Sequence, residues 1–348
     1  MRFFPAATTK AFPAAPAAFL ALAALFASAG DLGAEVSLAV KASLPEGDPR
    51  AATLSAWAGE FSRLTGWEAE VEFLGPGAAA GARTVMAEPD GLTVGFLSLD
   101  ETVTRSLQDL SPYEAPEFQP AVLFPSGAPA LVRRPGGPGR DLAALKGRPG
   151  AAVRLLAPSL NPVPGPTLLA VDAVRAVGAR AVLRELPKAS RRLGGLPESL
   201  NDSEALWASA YRSLEAGELL ALPWEGLSAV RALGDEPVVA LVLAGTPSAA
   251  APFSSPVPEG PSLGDLGVTP GVRELMGFYY PSGTGLAAQE GVPAKLSGIA
   301  ASALAAPQPG PFVTGPPLTG DEAQAAYEAE TAARKAILES LSLAGGLE

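Results

Sequence analysis

The 348-residue chain contains no cysteine and no histidine. Without cysteine there are no disulfides, no thiolate nucleophile, no thiolate metal ligand and no lipobox cysteine for a lipid anchor. Without histidine there is no Ser-His-Asp triad, no His-ligated zinc and no imidazole to move protons. Carboxylates, lysine and tyrosine could still serve as acids and bases. The expectation is nonetheless a protein that is not an enzyme, with no metal and no cofactor. Positive charge is also scarce: the formal net charge is −11, which argues against nucleic acid as a partner. It does not argue against a small anion, because backbone amides can hold one without net positive charge.

Long apolar runs are lacking too, despite 48% hydrophobic residues and a mean hydropathy of +0.23. Much of that content is alanine, and only one run approaches membrane length. It lies at the N-terminus, where Arg2 and Lys10 precede AFPAAPAAFLALAALFASA and Ala27-Ser28-Ala29 offers a small-residue cleavage site. Pro13 and Pro16 weaken a spanning helix. Residues 1–29 read as a cleaved export signal, which makes the mature protein periplasmic. Its removal takes Arg2 and Lys10 but no acid, so the net charge goes from −11 to −13.

The rest of the chain is organised around residues 36–91. EVSLAVKAS predicts a strand. PEGDPRAAT follows with Gly47 for an unusual backbone angle, Asp48 as N-cap and Pro49 at the first helical position. Leu54, Trp57, Ala58, Phe61 and Leu64 recur at helical spacing, and Gly66 stops the helix. Trp67, Ala69, Val71 and Phe73 then alternate with three glutamates, the period of a strand with one wet face. GPGAAAGARTV gives a small-residue loop and a short helix before the strand LTVGFLS. Loops after successive parallel strands share one sheet edge, where α/β proteins bind ligands and helix N-termini favour anions. This places Pro45, Gly47, Asp48 and Arg50, then Gly77, Ala78 and Ala79, then Ser98, among the candidate ligand-binding residues.

Further strands are predicted at AVLF, APALVRR, AAVRLLAP, ARAVLREL, ELLALPWEG and EPVVALVLAG. Arg133 and Arg134 end one of them and read as solvated. DLAALKG predicts a short helix. Ser159 and Asn161 precede a helix built on Leu168, Leu169, Val171 and Val174; they suit a carboxylate, or else an ordinary turn bonding its own backbone. Ser203 is expected to cap a helix carrying Leu206, Trp207, Tyr211 and Leu214. Trp224, after ELLALP, is either core or crevice. Two motif matches are decoys. Gly260-Pro-Ser262-Leu-Gly264 fits G-x-S-x-G but lies in a proline-rich stretch with no histidine to serve Ser262; Gly283-Thr-Gly285 followed by Ala288 comes after the strand-like LMGFYYP but lacks the unit a dinucleotide site requires. The closing helix opens with a Thr319-x-x-Glu322 capping box and is expected to pack on one domain face.

The order of these pieces resembles the tripartite tricarboxylate transporter receptor family, also called Bug receptors. The resemblance runs over nearly the whole mature chain. It is carried by 47–66, by PGAAAG and PDGLTV, by EFQPAVLF and LEAGELLAL, by VPEGPSLGDLG and YPSGTG, and by the closing TGDEAQAAYEAE. It implies a two-lobed α/β periplasmic binding protein of type II-like form, with doubly wound sheets and a ligand crevice between lobes. Lobe 1 would comprise residues 30–129 plus 246–348 and lobe 2 residues 130–245. The implied role is capture of a small organic anion for membrane permease subunits, by a monomer that closes about a hinge. Where the family has Gly-Gly-Pro-Thr-Asp, this chain has Gly47-Asp48-Pro49-Arg50-Ala51. An acid at Asp48 repels a carboxylate unless Arg50 turns inward. The alternative is a receptor-derived interaction or sensory protein with degenerate ligand loops.

Overall fold

A computed structural model describes residues 37–46, 48–125, 129–135, 150–190, 196, 200–243, 260–285 and 317–343. The chain divides after Val36, and everything below concerns the unit that begins at Ser37. Residues 1–29, Gly47, the DLAALKG segment and Ala288 lie outside the described residues.

β1 (Ser37–Ala42) leads through the Asp48 cap into α1 (Pro49–Thr65), and β2 (Glu68–Phe73) into α2 (Ala79–Val85). β3 (Thr93–Ser98) and β4 (Phe118–Pro125) follow. Gly66 ends α1 at φ +74°, the left-handed conformation that glycine adopts without strain. β1 pairs parallel with both β2 and β3. The chain later returns as β10 (Leu275–Pro281), which pairs antiparallel with both β3 and β4, and β11 (Leu318–Thr319) closes the far edge. The six-stranded order is β11-β4-β10-β3-β1-β2.

The intervening chain builds a second sheet. β5 (Ala130–Arg133), β6 (Ala152–Ala157), β7 (Arg180–Glu185), β8 (Glu218–Leu222) and β9 (Val238–Val242) order as β7-β6-β8-β5-β9, with β5 antiparallel to β8 and β9. α3 (Gly165–Ala176), α4 (Asp202–Arg212) and α5 (Trp224–Ala232) connect its strands. The sequence predicted the strands; the antiparallel members, which make both sheets mixed, come from pairings far apart in the chain.

The central strands of each sheet are buried on both faces. On one face of the first, Trp57 of α1 meets both Phe61 of the same helix and Phe278, which also meets Phe96 and Phe124. On the other, Leu97, Leu123 and Tyr279 pack with Tyr113, Ala323 and Tyr327. In the second sheet, Leu155, Leu219 and Leu241 pack under α3, while Leu156, Leu220 and Leu222 pack under Trp207, Tyr211 and Leu227. Removing such side chains from water supplies about 25 cal/mol per Å² of apolar surface.

The last helix, α6 (Gly320–Leu343), departs from expectation. It does not keep to one face: Ala323, Ala326 and Tyr327 belong to a core of the first sheet, and Ile337 and Leu341 to a core of the second. Thr319 is the second residue of β11 and pairs with Val122. A second correction concerns α4, whose N-cap is Asn201 in a capping box with Glu204, with Ser203 one position inside the helix. Asn201 wins because its side-chain oxygen reaches the Glu204 amide at 3.0 Å while Glu204 returns a bond to the Asn201 amide at 2.9 Å. Among the described residues no helix is long and apolar enough to cross a membrane.

Candidate functional site

A cavity of about 320 Å³ is lined by residues from both sheets. The first contributes Ser43, Leu44 and Arg50 after β1, Pro76 and Gly77 after β2, Ser98, Asp100, Glu101, Thr104, Arg105 and Gln108 after β3, and Glu274 and Met276 at the start of β10. The second contributes Pro129 before β5, Pro162, Val163, Pro164 and Pro166 before and within α3, Ser203, Leu206 and Trp207 of α4, and Pro223 and Glu225 around the start of α5. These are mainly the carboxyl ends of strands and the first turns of helices, where α/β sheets open a crevice.

Of the candidate residues, Arg50, Gly77 and Ser98 line this cavity. Asp48, Pro45, Ala78, Ala79, Ser159 and Asn161 do not. Gly47 and the Trp224 side chain lie outside the description, although the Trp224 backbone opens α5. Ser159 is buried, and its Oγ accepts from the Asn161 amide at 3.2 Å, so this loop bonds itself and turns its prolines to the crevice. Ala78 and Ala79 begin α2 behind Pro76 and Gly77.

Asp48 sits behind Arg50 and does two things. Its Oδ1 accepts from the Arg50 backbone amide at 2.8 Å, capping α1, and the same carboxylate grips the guanidinium through Nε at 2.9 Å and Nη2 at 2.8 Å. Burial opposes the Arg50 charge. The Asp48 hydrogen bond and the nearby carboxylates of Glu225, Asp48 and Glu101 outweigh it, and the guanidinium is held above its usual range. Arg50 therefore faces the crevice already half engaged.

A wide turn at Asp100–Thr104 forms the floor. Glu101 is 8% exposed, and its Oε2 accepts from Ser43 Oγ at 2.5 Å and from the Ser98 amide and Oγ, both at 2.9 Å. Burial pushes its pKa up against those bonds. Burial also raises Asp100, opposed by Arg334, Thr104, the Gly165 amide and Arg105. Gly165 opens α3 on the second sheet, and a Cβ there would come within 2.6 Å of Asp100 Oδ1, so only glycine lets this carboxylate approach. Gln108 bridges the same gap: its Nε2 donates to Val163 O at 3.1 Å and its Oε1 accepts from the Val163 amide at 2.7 Å.

Beneath the floor lies Arg334 of α6, with no exposed surface. It donates to Thr104 Oγ1 at 2.7 Å and to the Arg273 carbonyl at 2.9 Å, and approaches Glu274 at 3.5 Å. Burial pushes Glu274 up to about 7, with Arg334 restraining it. The sequence marked 98–101 as a candidate ligand loop but named only Ser98 there; Arg105, Gln108 and Glu274 were not candidates. The signal available was position: LDETVTR directly follows a predicted strand at the ligand edge.

Ser262, centre of the G-x-S-x-G match, is buried and donates to Asp265 at 3.0 Å, a local turn with no route to the cavity. No three-residue carboxylate cluster able to hold a metal occurs among the described residues.

Known structures share this architecture. A TctC solute-binding protein from Polaromonas superposes with a TM-score of 0.57 at 17% identity, over 88% of this chain and 98% of that one. The chain has the fold of the TctC-type solute-binding proteins. Two further TctC-fold structures match with a TM-score of 0.53: MatC from Rhodopseudomonas palustris with bound malate, at 15% identity over 87% of this chain and 98% of its own, and an R. palustris protein with adipate, at 13% over 90% and 98%. No protein-family model and no curated protein matches the sequence. The two-lobed form and the crevice between sheets are thus those of a TctC-type fold, on a sequence that has diverged far from these neighbours.

Proposed function

We propose that this protein is an extracytoplasmic receptor that captures a small carboxylate-bearing solute between its lobes and presents it to membrane permease subunits. The observation that carries the reading is the cavity between the two sheets, ringed by helix N-termini, with Arg50 and Arg105 in its wall. Malate in one structural neighbour and adipate in another support a carboxylate. The export segment at residues 1–29 supports a periplasmic location. Lobe 1 is taken as 30–129 plus 246–348 and lobe 2 as 130–245, a monomer closing about the crossings near Pro129 and before β10.

Thermal-shift measurement of the exported chain against malate, adipate and simple monocarboxylates tests this. A ligand at a hundred times its Kd stabilises by about 2.7 kcal/mol, a rise of several degrees. No rise with any solute would overturn capture. It would favour the second reading, an interaction or sensory protein with degenerate ligand loops, whose support is the Asp48 carboxylate gripping the one arginine of the first ligand loop.

A further inference from the structure

The acids along the cavity floor outnumber the cations that face them. Asp100 and Glu274 both line the crevice, and both lie against Arg334 of α6. That guanidinium has no exposed surface, and its Nη2 stands 3.5 Å from Glu274. Glu330, the other α6 acid near Glu274, is taken by Arg273, whose amide and Nε donate to it at 2.9 and 3.0 Å. Tyr279, further along β10, also feels the Glu274 charge. On the cavity side Arg105 faces Asp100, and Glu101 adds its own negative charge beside it. α3 of the second sheet meets the cluster through Gly165, against Asp100 and Arg334, while its acid Asp172 accepts from the amides of Gly271 and Val272. Three carboxylates, Asp100, Glu101 and Glu274, thus stand against two guanidiniums, Arg334 and Arg105. Asp100 Oδ1 is buried with no hydrogen-bond partner. Glu274, pushed up to about 7 by burial, restores the balance by carrying a proton in about half the molecules at neutral pH.

An anionic solute brings further negative charge into the same cavity, and a nearby negative charge favours the protonated form of a carboxyl. We propose that the protein takes up a proton together with an anionic solute, the proton landing on the Glu274 and Asp100 pair, so that capture tightens as pH falls. The inference rests on the receptor reading and adds a proton to what the crevice binds. The proton comes from solvent, because simple carboxylates are already ionised above pH 7 and have none to give. If the anion raises the proton affinity of the pair by about tenfold, one pH unit, then about half a proton enters per solute near pH 7.5. Over the same reasoning affinity falls about sevenfold between pH 6.5 and pH 9.

Titration calorimetry with malate and adipate at pH 7.5, run in HEPES and again in Tris, reads the proton directly. The two buffers differ in ionisation enthalpy, so the difference in observed heat gives the number of protons exchanged per solute bound. The exported chain is expected to take up about 0.3–0.6 proton, with affinity falling severalfold from pH 6.5 to pH 9. Glu274→Gln keeps the shape of the side chain and is expected to remove more than half of the uptake and to flatten the pH profile. Asp100→Asn is a second, independent removal of one member of the pair. Equal heats in the two buffers for a solute that binds, proton release instead of uptake, or undiminished uptake in both variants each overturn the proposal and leave carboxylate capture standing. Failure of malate, adipate and monocarboxylates to bind at all overturns capture and this inference with it.

Discussion

Arg334→Leu tests whether the floor of the cavity is held up by one buried cation. The substitution keeps bulk and removes charge. It deletes the hydrogen bonds to Thr104 Oγ1 and the Arg273 carbonyl, each about 1–1.5 kcal/mol. It also leaves Glu274 and Glu330, which lie 3.5 and 4.0 Å from the guanidinium, without their buried partner. Breaking a buried pair from one side costs about 3–5 kcal/mol in total. Part of this loss depends on pH. Glu274 ionises at 4.5 ordinarily and at about 7 here, so the native state binds the extra proton and stability falls as pH rises between those values. Without Arg334 the folded-state value climbs further. At pH 5 the Glu274 carboxyl is protonated with or without the arginine, so its share of the loss is absent and the deficit is smaller, about 2–3 kcal/mol. At pH 8 the full deficit appears. Urea unfolding at the two pH values measures both. A deficit below about 1 kcal/mol, or an equal one at pH 5 and pH 8, refutes the account.

Glu274→Gln is expected to flatten the fall in stability between pH 4.5 and 7 and to raise stability at pH 8 by roughly 3 kcal/mol at most, as read by thermal melts across that range; the group is 16% exposed, so solvent screening brings the gain nearer 2. Gly277→Ala would set a Cβ on the Val122 carbonyl oxygen and against Leu123, in a strand with neighbours on both sides, and should cost about 3 kcal/mol or disorder the first sheet; a urea midpoint within error of wild type would show that β10 does not sit this close to β4. Asp48→Asn keeps the oxygen that caps α1 and removes the charge that engages Arg50, so malate affinity is expected to rise severalfold by calorimetry. A fall would mean that Asp48 positions Arg50 instead of competing with the solute.

The first sheet was legible because its signals are local. Asp48 with Pro49 announces α1, Gly66 ends it at φ +74°, and the Glu68–Phe73 alternation marks an edge strand. The antiparallel β10 was legible as a strand but not as the neighbour of β3 and β4, since the pairing of Phe278 with Phe96 and Val122 is set by aromatic packing across some 150–180 residues. In the site, sequence pattern led to the strand edges, but in several loops the side chains it named do not line the crevice. Ser159 suited a carboxylate and bonds its own loop; the loop after β3, of which only Ser98 was named, brings Asp100 and Arg105 to the crevice. Arg334 was invisible because the Thr104 hydroxyl, the Arg273 carbonyl and the Glu274 carboxylate that hold it come from 60 or more residues away in the chain.

The closing helix makes the two lobes mechanically dependent on each other. A 24-residue α-helix is a rod of about 36 Å. This one is anchored near one end by Tyr327, whose hydroxyl donates to the Ala115 carbonyl at 2.9 Å, and near the other by Ile337 and Leu341 in the second core. Arg334 lies between the two anchors and bonds Thr104 of the cavity floor, so one helix touches both cores and the site at once. A displacement of this one helix would therefore be felt in both cores.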